Sequence, residues 1–289
     1  MLPHFPGSTW RGALVAAFRR VACLTSEAGC HSCLLKQGCP YPAIFEPSLR
    51  VELQDKSFLR EIPRPFVIEP ATDTREPAQP TRFDLLLFGE ANKYLGYFIV
   101  AAREMARRGL TQRRVPCLLK RVALLGADDR ETDLVLEGQG SAQPLPSTPD
   151  PKPPPVAAWP VALQFLTPTR LKFQNAWCHT PSFHVLLSAL VRRASLIASI
   201  YGRRPLPDLT TVVERTRSVR TLHSSARWVD WQRYSSRQQA RLTMGGIVGD
   251  ISYDADPADF APILRLGELI HVGKGCVFGM GRFRLLPAL

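Results

Sequence analysis

The chain is poor in lysine, in long apolar runs and in paired carboxylates. Seven of its 37 basic residues are Lys and the other thirty are Arg. Arginine offers a planar fork that matches phosphate and stacks on bases. Against 25 acidic residues this leaves a formal charge of +12. That balance favours a polyanionic partner, nucleic acid first, although a coding bias towards Arg gives the same count. No apolar run approaches the ~20 residues of a membrane span. No basic-then-apolar leader opens the chain, because Met1-Leu2-Pro3-His4 runs straight into an amphipathic segment, so the expected compartment is the cytoplasm. No paired-carboxylate pattern sits on a convincing strand end. Asp128-Asp129 and Asp254 with Asp256 read as turn residues, which argues against a metal-dependent nuclease or nucleotidyltransferase. Hydrophobic residues make up 45% of the 289. A packed core is therefore possible, wholesale disorder is excluded, and the length suggests two domains.

Cysteine is present in an odd number, seven. Disulfides are not expected in a reducing compartment. Cys23, Cys30, Cys33 and Cys39 cluster with the spacing C-x6-C-x2-C-x5-C. Such a set can clamp a tetrahedral metal, and thiolates suit structural zinc or, less often, an iron–sulfur centre. Four unligated thiols in a loop is the other reading. Cys117, Cys178 and Cys276 are scattered in apolar contexts and read as core residues.

The plainest boundary is Pro144 to Pro155, PLPSTPDPKPPP. Proline lacks an amide donor and fixes φ, so this stretch is expected to be extended. With the polar segment before it, residues 127–155 read as a linker between domains at 1–126 and 156–289. In the first, Ser8 or Thr9 is a plausible cap for a helix with Trp10, Leu14, Ala17, Phe18 and Val21 on one face. The Cys cluster follows. Pro65–Glu69 and Arg82–Phe88 read as strands. Ala91, Tyr94, Leu95, Phe98, Ala102 and Met105 mark a second helix that stops at Gly109, with Arg103, Arg107 and Arg108 off its stripe. Val115–Leu125 is a strand pattern.

The second half repeats that order with a strand added in front. Val161–Phe165 and Thr169–Phe173 read as strand. A helix carries Phe183, Leu186, Leu187, Leu190, Ala194 and Ile197. Trp228–Arg233 and Ala240–Tyr253 form a hairpin, Phe260–Leu269 a short helix and Arg282–Leu286 a last strand. The fold class is α+β: two tandem ferredoxin-like (RRM-like, βαββαβ) domains, the first lacking its opening strand.

The strongest motif is His271-Val-Gly-Lys-Gly-Cys-Val-Phe-Gly-Met-Gly-Arg-Phe-Arg284, between the last helix and the last strand. Gly275, Gly279 and Gly281 let a backbone approach a ligand closely, and Lys274, Arg282 and Arg284 can hold phosphate oxygens. It is neither a Walker loop nor a dinucleotide fingerprint, since a strand rather than a helix follows it. Arg233, Arg237 and Arg241 lie in or beside the hairpin bend with Trp228, Trp231 and Tyr234 interleaved, a combination suited to RNA. Arg192 and Arg193 read either as RNA contacts or as an exposed helix face.

These segments resemble the RAMP superfamily of CRISPR-associated proteins, most closely its repeat-processing endoribonucleases. The stretches YSSRQQARLTMGGIVGDISY and LRLGELIHVGKGCVFGMGRFRL are similar to that group's C-terminal domain. PGSTWRGAL, the Cys cluster and CPYPAIFEP resemble the opening of members with a Cys-rich insertion. The resemblance implies a protein that binds CRISPR repeat RNA and cuts the long transcript to mature guide RNA. It implies no metal in the chemistry: a ribose 2′-OH attacks the adjacent phosphate, leaving a 2′,3′-cyclic phosphate and a 5′-OH. A His commonly moves the proton, near or just after the first helix. His31, His4 and His271 are the candidates, while His179, His184 and His223 lie elsewhere. Some members rely on cations alone. A non-catalytic subunit that holds guide RNA in a CRISPR effector complex is the alternative.

Overall fold

The computed structural model describes residues 5–25, 29–49, 62–70, 81–110, 114–126, 130–138, 140, 159–235 and 240–286. Helix α1 (Gly7–Ala22) starts one residue before Ser8, from Pro6, and takes no side-chain cap. The expected cap at Ser8 or Thr9 is therefore replaced by backbone, with the Thr9 and Trp10 amides donating to the Pro6 carbonyl. Its buried face carries Trp10, Leu14, Ala17, Phe18 and Ala22, the apolar stripe of the sequence. The short α2 (Pro40–Phe45) follows the Cys cluster. Strands β1 (Phe66–Pro70) and β2 (Phe83–Leu87) pair antiparallel, Ile68 opposite Leu85. After a 3₁₀ turn comes α3 (Leu95–Arg108), ended by Gly109 at φ 80°.

The strand expected over 115–125 is confined to β3 (Arg121–Leu125). It pairs with a strand not read from the sequence, β4 (Glu131–Glu137), inside the stretch expected to be linker. Only Val135 and Leu136 of β4 are buried, and they pack with Ile99 of α3. Three consecutive apolar residues, Leu134 to Leu136, among acidic neighbours give no alternation to read. The Pro-rich part, 144–155, lies outside the described residues.

The second half forms β5 (Val161–Thr169), the two-residue strands β6 (Lys172–Phe173) and β7 (Ala176–Trp177), α4 (Phe183–Tyr201) and α5 (Thr210–Arg215). Then come β8 (Thr221–Ser224), β9 (Arg227–Ser235), β10 (Ala240–Tyr253), α6 (Pro257–Ile270) and β11 (Phe283–Leu285). The sheet runs β11-β5-β10, with β9 and β8 both pairing β10. Leaving β8 aside, the order β11-β5-β10-β9 is that of an antiparallel βαββαβ ferredoxin-like sheet, whose two outer strands flank the inner pair. Ser182 caps α4 through the Val185 amide, and Asp256 caps α6 through Ala258.

α4 is long and apolar enough, by length and composition, to cross a membrane, with a mean hydropathy of 1.5. It is instead a core helix. Phe183, Leu186, Leu187 and Leu190 pack against Leu163, Phe165, Ile251 and Phe283 of the sheet. Burying each such side chain stabilises the fold by about 1.5–3 kcal/mol.

Contacts divide the chain into two units, 1–50 with 93–154 and 51–92 with 155–289. In the first, Phe18 of α1 meets Phe98 of α3 at 4.9 Å and Phe45 of α2 at 5.1 Å between ring centroids. The β1–β2 hairpin, expected in the first domain, groups with the second half. The reason is local: the Tyr201 hydroxyl donates to the Pro63 carbonyl at 2.9 Å, and a Cβ on Gly89 would lie 1.9 Å from the Tyr201 carbonyl oxygen.

Candidate RNA-binding loop and its clamp

The glycine-rich segment runs from the end of α6 to β11. His271 ends α6 in a left-handed conformation, φ 62°. Gly275, Gly279 and Gly281 also have positive φ, 86°, 82° and 78°, which only glycine adopts without strain. The sequence reading assigned these glycines to close approach by a ligand. In the structure the close approach is by the protein. A Cβ on Gly279 would lie 2.6 Å from the Ile68 carbonyl oxygen of β1, and one on Gly281 2.0 Å from the Val272 carbonyl oxygen. Gly279 and Gly281 are buried, and Gly275 is half-buried. They shape the loop.

Its two ends converge on one carboxylate. Glu69 of β1 takes His271 Nε2 on Oε1 at 2.6 Å and Arg282 Nη1 on Oε2 at 2.9 Å. His271 is 0% exposed, and its Nδ1 lies 2.9 Å from the Met280 carbonyl. A carbonyl only accepts, so Nδ1 carries a proton. Nε2 faces a carboxylate, so one further proton lies between Nε2 and Oε1. Thr167 of β5 completes the clamp: its hydroxyl donates to the Gly279 carbonyl at 2.7 Å and accepts from the Arg282 amide at 2.9 Å.

Two of the site residues read from the sequence are thus engaged inside the protein. His271 has both ring nitrogens occupied inside the protein and no face for a substrate. Arg282 spends a guanidinium nitrogen on Glu69. Lys274 and Arg284 are exposed, on the loop and on β11. Arg193 is engaged as well: its Nε donates to the Ile270 carbonyl at 2.8 Å and so holds the end of α6. Arg192 is exposed on the same helix. Arg233 lies on β9 opposite Leu242, and Arg241 lies on β10 opposite Tyr234. Arg237 and His4 lie outside the described residues. Trp228 packs against the core and stacks on His179 at 4.6 Å between centroids.

In the first unit, Cys23, Cys30, Cys33 and Cys39 line one pocket with Thr25, Lys36 and Tyr41. Burial pushes the Cys30 thiol up, with Glu46 adding to it. Among the described residues no three His, Cys, Asp or Glu side chains are gathered as a metal site requires. Instead Thr25 Oγ1 lies 4.0 Å from Cys23 Sγ and 3.7 Å from Cys33 Sγ. His31 is exposed, and its carbonyl accepts from Lys36 Nζ at 3.0 Å. A second basic surface, between α1 and α3, is lined by Arg20, Arg103, Arg107 and Arg108, and Glu104 pairs with Arg107 and Arg108.

A ferredoxin-like sheet with a clamped, cation-bearing glycine loop before its last strand defines the second half as an α+β unit of the ferredoxin-like class. Comparison with known proteins shows what each half resembles. Residues 163–283 match the family model described as CRISPR-associated endoribonuclease Cas6, and residues 1–147 match a family model described as an N-terminal domain. The second half of the chain is thus similar to the Cas6 family of CRISPR-associated endoribonucleases. A protein of Archaeoglobus fulgidus, described as uncharacterized, is 25% identical over 98% of this chain and 92% of its own length. Two solved structures share the fold. A Cas6 product complex has a TM-score of 0.60 at 13% identity, covering 99% of this chain and 96% of that one. Thermus thermophilus Cas6 has a TM-score of 0.50 at 14% identity, covering 99% and 93%.

Proposed function

We propose that this chain binds CRISPR repeat RNA and cuts the precursor transcript at the repeat without a metal in the chemistry. The ribose 2′-O attacks the adjacent phosphorus and the 5′-O leaves, giving a 2′,3′-cyclic phosphate and a 5′-OH. A base takes the 2′-OH proton and an acid returns one to the leaving oxygen. The observation that carries the reading is the clamped loop of a Cas6 domain, with Lys274 and Arg284 exposed to hold phosphate oxygens. His31 and His4 are the proposed proton carriers, and His271 is assigned to the loop's architecture. Cations alone would serve where neither His acts. A structural zinc on Cys23, Cys30, Cys33 and Cys39 belongs to the same proposal; it requires the four thiols of the pocket to draw together on the ion.

The test is incubation with labelled repeat RNA in excess EDTA, beside an RNA with a single 2′-deoxy at the cut nucleotide. Cleavage of the first and not the second is expected. The internal hydrogen bonding of His271 favours one other reading, a guide-binding subunit that grips RNA without cutting. Tight binding without cleavage of either RNA would establish that reading instead.

A further inference from the structure

Strands β6 and β7 form a six-residue hairpin, Lys172 opposite Trp177 and Phe173 opposite Ala176. Gln174 and Asn175 turn it with positive φ, 45° and 69°, the geometry of a two-residue hairpin loop. All six residues are exposed, Phe173 by 47% and Trp177 by 38%. Two large rings on so small a hairpin build no core.

The ring of Trp177 is nevertheless held. The Arg170 guanidinium lies 4.1 Å from its centroid, and Lys172 Nζ lies 5.7 Å from it. Arg170 is fixed from the other side by a contact of its Nη1 with Met244 Sδ of β10 at 3.5 Å. Burial lowers its hold on the proton, opposed by the nearby charge of Asp230. The hairpin root is joined to the glycine-rich loop. The Arg170 carbonyl accepts from the Lys274 amide at 3.0 Å, and a Cβ on Gly273 would meet that oxygen at 2.3 Å. The Cys178 amide closes the root on the Leu171 carbonyl at 2.9 Å. An exposed, cation-backed indole, exposed lysines at 172 and 274, and a phosphate-binding loop thus share one short stretch of surface.

We infer that this hairpin is a stacking platform for an unpaired base of the RNA, with Trp177 as the ring that receives it and Arg170 as the residue that positions Trp177. The inference rests on the proposed RNA reading of the adjacent loop. The cations attract the backbone, and the rings supply a sequence-tolerant π-face, the combination that single-stranded nucleic acid selects.

The experiment measures the affinity of the full-length protein for repeat RNA carrying the 2′-deoxy at the cut nucleotide, for wild type, Trp177→Ala and Trp177→Phe. It adds a scan of single abasic nucleotides and a salt titration. Trp177→Ala is expected to weaken binding about tenfold, and Trp177→Phe to retain most of the affinity. One abasic position should cost the wild type the same factor and cost Trp177→Ala nothing more. The salt slope should stay unchanged, because no phosphate contact is lost. Wild-type affinity in Trp177→Ala, or the same abasic profile in both proteins, would overturn the platform. If Lys274→Ala and Arg284→Ala weaken binding while Trp177→Ala does not, the platform alone fails. If the wild type binds no repeat RNA, the underlying RNA reading fails with it.

Discussion

Glu69 is the residue on which the loop depends, and its partner His271 lies 202 positions away in sequence. Removing one member of a buried ionic group leaves the others uncompensated, which costs about 3–5 kcal/mol. Glu69→Ala should approach the lower end of that range in denaturant unfolding, since Arg282 keeps some access to water. Glu69→Gln should cost less, because an amide can still accept from Arg282 and donate to Nε2. The two candidate histidines among the described residues, His271 and His31, behave differently by the same logic. His271→Ala should lower stability and RNA affinity together. His31→Ala should lower the cleavage rate while its denaturant midpoint stays within about 0.5 kcal/mol of wild type, as for an exposed position. The sequence displayed the glycines, Lys274 and the neighbouring His271, but not that His271 is locked. Its partner carboxylate sits in PFVIE, where an acidic residue ending a strand reads as exposed. No local pattern signals a pair formed across most of the chain. The four cysteines were legible as a cluster, and metal analysis of purified protein is their test: one zinc per chain is expected, released on thiol modification.

At the scale of elements, the loop is held by two strands, β1 through Glu69 and Gly279, and β5 through Thr167. Gly279→Ala has to move either the loop or β1, since the added methyl would sit 2.6 Å from a backbone oxygen. The left-handed conformation adds about 1–2 kcal/mol. Reduced RNA affinity with an intact far-ultraviolet spectrum is the expected result, read by gel shift and circular dichroism. In the first unit, Leu136 of β4 is buried against α3, so Leu136→Ala should lower stability by about 2–5 kcal/mol. The long amphipathic helices α1 and α4 and the β9–β10 hairpin were readable, because their apolar spacing repeats often enough to stand out. β4 and β8 were not. β8 is a four-residue strand, TLHS, exposed throughout, and is a strand because β10 offers it an edge. Its own residues carry no alternating pattern.

At the scale of the whole molecule, the charge of +12 is the property most directly tied to function. Affinity for single-stranded RNA should fall with salt, and each phosphate contact removed should lower the log–log slope by about 0.7. Lys274→Ala and Arg284→Ala are expected to do so singly and about additively. Composition, periodicity and the glycine-rich motif determined the α+β class and the second ferredoxin-like unit, because these depend on residues close in sequence. Tertiary structure alone decided that the β1–β2 hairpin joins the second half and that the loop is clamped by Glu69. It also decided that His271 is buried against Glu69, that Arg193 bonds the end of α6 and that Trp177 is held over Arg170. Each of those outcomes is a meeting of groups from separate elements. A side chain's availability depends on what surrounds it after folding, which its position in the chain does not state.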